Sequence, residues 1–142
     1  MEGKMSLELN DSVQDMIGQC LKALAEAHEG KYPAEKAERT AALFLDVQMR
    51  LTDVVASFEF KKQMAKNELE RLSGEKYFLF KNSSSDKKIT EAALDHSLAK
   101  DEDVFKVKQS LAEADKEQKK WQNVMTIMSN GHIYFRNLGK NN

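Results

Sequence analysis

Between Pro33 and Gly74 the chain contains neither glycine nor proline, and its large apolar residues fall in sevens. Phe44, Leu51, Phe58, Ala65 and Leu72 repeat at heptad spacing; Val47 and Val54 add the +3 positions, Val55 and Leu69 the +4 positions. This pattern predicts one helix over 33–73, about 60 Å long at ~1.5 Å per residue, with Gly74 as its stop. A helix of that length is not held by propensity, so its stripe has to be buried on a partner helix. The stripe weakens where Lys61, Lys62 and Glu68 take its places.

The remaining segments supply that partner. Val13, Met16, Ile17, Cys20, Leu21 and Leu24 form a helical stripe that predicts a first helix over 12–29, with Gly30 as its stop and Pro33 in the first turn of the next. Residues 75–89 read as an aromatic and basic connecting loop. In it Tyr77, Phe78, Leu79 and Phe80 form a short strand or a hydrophobic turn, followed by a Ser-rich polar stretch. Thr90 caps a short helix carrying Leu94 and Leu98, and Asp101 caps a second long one. There Val104, Val107, Leu111, Ala114, Gln118, Trp121, Met125, Met128, His132 and Phe135 alternate at +3 and +4, with Asn130-Gly131 as an end or kink. The 90–138 stretch is thus a short helix plus a long C-terminal one. The expected fold is all-α: a single domain over 1–142, an elongated antiparallel hairpin of two long heptad helices with two short ones. Its incompletely covered seams predict a homo-oligomer.

Composition narrows the functional classes. One proline and six glycines are too few for the turns of a sandwich or barrel. No apolar run approaches a bilayer span, and the opening MEGKMSLELN lacks a signal-peptide core, so a cytoplasmic protein is expected. One cysteine, Cys20, gives neither an internal disulfide nor a thiolate zinc cluster. The net charge of −1 conceals alternating blocks: acidic to Phe60, basic over 61–88, acidic over 89–118 and basic from Lys119 onward.

Candidates for chemistry are few. His28, His96 and His132 lie on different segments without a partner at metal-ligand spacing. Glu91, Asp95 and His96 read as a solvated helix face, and Asp101, Glu102 and Asp103 as an N-terminal cap and first turn. Glu35 and Glu38 resemble the first acidic motif of the all-α nucleotide pyrophosphohydrolases, but the second motif is missing: Glu59-Phe-Lys-Lys62 stands where it belongs. No phosphate loop is present. No enzyme, metal or cofactor is expected.

The basic block is the informative one. Lys61, Lys62, Lys66 and Arg71 lie late in the first long helix, with Lys62, Lys66 and Arg71 expected along one side. Lys76, Lys81, Lys87 and Lys88 extend the charge, interleaved with Tyr77, Phe78 and Phe80. Cations among aromatic rings suit a single nucleic-acid strand, which needs its phosphates neutralised and its bases stacked. A second group combines Lys119, Lys120, Arg136 and Lys140 with Trp121, Tyr134 and Phe135.

Over about residues 61–138 the chain resembles the phage recombination mediators of the UvsY type. The carrying residues are Lys61-Lys-x-x-Ala65-Lys66-x-x-Leu69-x-Arg71-x-Ser73-Gly74, then Lys88-Ile-Thr90 with Leu94 and Leu98, then Asp101-Glu-Asp-Val104-x-Lys106-Val107, and finally Ile133-Tyr-Phe-Arg136-x-Leu138. The resemblance implies a small helical protein that forms rings and binds single-stranded DNA. It also implies that the protein helps displace the single-strand-binding protein and load a RecA-like recombinase, with no hydrolysis of its own. By position it makes Lys61, Lys62, Lys66 and Arg71 the DNA-contacting helix. It makes the C-terminal helix, with Val104, Val107, Leu111, Trp121, Met125, Met128 and Phe135, the assembly element. The alternative is a helical adaptor or inhibitor acting through protein contacts. A solvent-facing 61–88 segment favours DNA; buried aromatics, and lysines paired with the acidic 89–118 block, favour the adaptor.

Overall fold

The computed structural model describes residues 11–83 and 90–140. It is all-α, with no strand among the described residues. Helix α1 spans Asp11–His28, a single 3-10 turn spans Ala34–Lys36, α2 runs Ala37–Ser83, α3 Glu91–Lys100 and α4 Glu102–Lys140.

Several boundaries have a local cause. Helix α1 closes in a Schellman arrangement: Lys31 N–H donates to the Glu26 carbonyl at 2.9 Å and Gly30 N–H to the Ala27 carbonyl at 3.0 Å. Gly30 takes the left-handed φ of 73° that this requires. Pro33 precedes the 3-10 turn with φ −69° and ψ 121°. The Thr90 hydroxyl accepts from Ala93 N–H at 3.1 Å and starts α3. Asp101 is the one residue between α3 and α4, and its Oδ1 accepts from the N–H groups of Asp103 at 3.0 Å and Val104 at 3.1 Å.

Two expected boundaries are corrected. Gly74 does not stop α2, which continues to Ser83, so Tyr77–Phe80 is helical rather than a strand or turn. Nothing lies within 4 Å of where a Gly74 Cβ would stand, so the residue marks no turn and no close approach. The rest of the expected loop up to 89, with Lys87 and Lys88 in it, lies outside the described residues. Nor does Asn130-Gly131 break α4. A Cβ on Gly131 would clash with the edge of the Phe44 ring, so this glycine lets two helices approach.

The chain divides into two compact units. Unit 1 draws on Met1–Ser57 and Gln118–Asn142; unit 2 is Phe58–Glu117. In unit 1, α2 and α4 are antiparallel: Ala41 meets His132, whose Nδ1 lies 2.9 Å from the Ala41 carbonyl oxygen, and Phe44 meets Gly131. Phe44 stacks on Phe135 at 5.3 Å between ring centroids, and Tyr32 meets Phe135 edge-on at 4.9 Å. Val13, Cys20, Ala41, Val47, Leu51, Val54 and Met128 add to this buried core. Each of its large side chains is worth roughly 1.5–3 kcal/mol of transfer free energy. In unit 2 the buried apolar residues are Leu94, Val104 and Ala114. The α2 heptad positions Phe58, Ala65 and Leu72 are only half-buried there, consistent with the weakening of the stripe after Phe58.

The residues expected to form the assembly element differ in how far the single chain covers them. Val104, Met128 and Phe135 are 0–1% exposed within the single chain, and Val107, Leu111, Trp121 and Met125 are half-buried. Val104, Met128 and Phe135 are thus used in packing inside one chain, where α2 is a partner for the α4 heptads.

Candidate nucleic-acid interface

Unit 2 holds the basic segment, and the structure sorts its members into three groups. The first lines a groove of about 380 Å³ between α2 and α4. It is lined by Lys62, Lys66, Lys108, Leu111 and Ala112, with Asp115 as its one carboxylate. Lys62 Nζ lies 2.8 Å from Asp115 Oδ1. That hydrogen bond raises the lysine's pKa above its usual value, so it stays charged throughout the neutral range. Lys66 and Lys108 are exposed. Three ammonium groups against one carboxylate leave the groove with an excess of two positive charges. Lys108 belongs to the acidic block of the sequence, and block counting conceals it. Its position on α4 opposite Lys62 follows from an antiparallel register that composition does not carry.

The second group is tied down. Arg71 does not join Lys62 and Lys66, because five residues turn a helix by about 140° from Lys66. It is clamped on its own helix, Nη2 lying 2.5 Å from Glu68 Oε1 and Nη1 2.6 Å from Glu75 Oε1. Those contacts raise the guanidinium's pKa and lower that of Glu68. Lys76 Nζ sits 3.2 Å from Asp101 Oδ2 and 3.3 Å from Asp103 Oδ2, and both contacts raise its pKa. The Tyr77 hydroxyl donates to Glu91 Oε1 at 2.9 Å, which makes the phenol harder to ionise.

The third group faces solvent. Lys61 and Lys81 are exposed, with Lys81 Nζ 5.9 Å above the Tyr77 ring. Phe78 is 64% exposed, whereas Tyr77 and Phe80 are half-buried. The segment is therefore split: Lys61, Lys66, Phe78 and Lys81 meet the expectation for a strand-binding face, and Lys62, Lys76 and Tyr77 meet that for an adaptor. Asp101 acts as the expected N-cap. The Val104 N–H chiefly, with Lys76 adding to it, holds its carboxyl below the ordinary carboxylate range. Among the described residues no three of His, Cys, Asp and Glu gather as a metal site. No helix of the described residues is long and apolar enough to cross a membrane. Cys20 is fully buried, and burial pushes its thiol up to about 11.

No family model, curated protein or solved structure matches the chain.

Proposed function

We propose that the chain is a non-enzymatic accessory protein that binds single-stranded nucleic acid, in the manner implied by its resemblance to UvsY-type recombination mediators. The observation that carries this reading is the groove of Lys62, Lys66 and Lys108 with its single carboxylate. Ammonium groups on two helices suit a flexible, multiply charged backbone, and exposed Phe78 offers a base a ring to stack on. Loading a RecA-like recombinase onto a strand freed of single-strand-binding protein is the activity proposed for it. Self-association, which the resemblance implies, multiplies the modest charge of one protomer.

Fluorescence anisotropy with labelled oligothymidine tests the reading. Binding is expected at low salt and is expected to weaken steeply toward ~0.2 M salt. The Lys66→Ala/Lys108→Ala variant should bind on the order of tenfold more weakly, and its slope of log affinity against log salt should be shallower by about 1.4, two contacts at ~0.7 each. Equal binding by parent and variant places the phosphate contacts elsewhere.

The second reading, a helical adaptor, rests on the ties of Lys62 to Asp115, of Lys76 to Asp101 and Asp103, and of Tyr77 to Glu91. It draws further support from outward apolar side chains: Phe60 and Met64 on α2 and Phe105 on α4 are 52–66% exposed. No oligothymidine binding at low salt leaves this reading standing.

A further inference from the structure

We propose that α3 and its junction with α4 form an acidic strap, which occupies the Lys76–Tyr77 end of the nucleic-acid surface and which a bound strand displaces. This inference rests on the nucleic-acid reading above. From Glu91 to Asp103 the chain carries Glu91, Asp95, Asp101, Glu102 and Asp103 against one base, Lys100. Three of these carboxylates engage the two side chains on α2: Asp101 and Asp103 hold Lys76, and Glu91 accepts from Tyr77. A carboxylate and a phosphodiester present the same kind of anionic oxygen to an ammonium or a phenol, so the two compete for the same donors. Lys76 stands ten residues after Lys66, about 15 Å further along α2, within reach of one short oligonucleotide.

The strap is held lightly. Leu94 is the buried apolar residue of α3, and Leu98 is half-buried. Asp101 divides its two oxygens between tasks: Oδ1 caps α4 and Oδ2 meets Lys76. Asp101→Asn therefore keeps the capping oxygen and turns an amide toward the lysine, removing the attraction without removing the cap.

The test compares the parent with a Glu91→Gln/Asp101→Asn/Asp103→Asn variant in oligothymidine anisotropy at low salt, after circular dichroism has shown equal helicity. The variant should bind about fivefold tighter, the scale of one partly exposed ion pair. Adding Lys76→Ala should abolish the gain. In hydrogen exchange, the α3 amides of the parent should lose protection when oligothymidine is bound. Equal affinity of parent and variant, or unchanged α3 protection in the saturated complex, overturns the strap and leaves the nucleic-acid reading intact. Absence of binding by both proteins overturns both.

Discussion

Gly131 and Gly74 are the same residue type in neighbouring helices with opposite consequences. A methyl at Gly131 collides with the Phe44 ring, which is fully buried and stacked on Phe135 and so has nowhere to move. Gly131→Ala is expected to lower stability by about 1–3 kcal/mol, the range for overpacking a tight core, as read by chemical denaturation. The sequence offers Asn130-Gly131 as a helix end, and that inference misleads because a local turn signal and a requirement for close approach use the same residue. Phe44 and Leu51 were legible as a stripe that must be buried from spacing alone, since a heptad position states which way a side chain faces. Lys108 was not, because no local signal says which cation will stand across from Lys62.

At the scale of elements, α2 outruns its expected length. Nothing at Gly74 requires a glycine, and Tyr77–Phe80 continue the helix that hydropathy alone reads as a strand or turn. Gly74→Ala should therefore raise stability by about 0.5–1 kcal/mol, the ordinary helix-interior difference, with no effect on packing. A fall in the denaturation midpoint would show that this glycine has a role the helix does not reveal. The caps, in contrast, were legible: Thr90 and Asp101 stand just before acidic first turns, a short-range pattern that tertiary contacts do not override. The destination of the α4 stripe was not, because a heptad pattern calls for a partner helix without stating whether it belongs to the same chain.

At the scale of the whole chain, the two units rest on different forces. Among the described residues, unit 1 has a buried aromatic and aliphatic core; unit 2 has three buried apolar residues and a larger share of ionic ties. Both carboxyls held below their ordinary range, Glu68 and Asp101, lie in unit 2. A carboxyl whose pKa is depressed by folding adds stability above its unfolded value near 4, and that stability is lost as the pH falls through the folded value. Acidification below pH ~4 is thus expected to loosen unit 2 before unit 1. Hydrogen exchange checks this: amides of 58–117 should lose protection first, and simultaneous loss across both units would refute the distinction.

Unit 2 is also continuous in sequence, whereas unit 1 joins the first part of the chain to the last. The contact between Ala41 and His132 closes over 91 residues. During synthesis, every residue of unit 2 is available before the α4 segment that carries Phe135 exists. Phe44 and the rest of the α2 stripe in unit 1 therefore wait, uncovered, for the final helix. The better-packed unit is thus completed after the other, and its α2 stripe stays uncovered while the 91 residues from Ala41 to His132 are made.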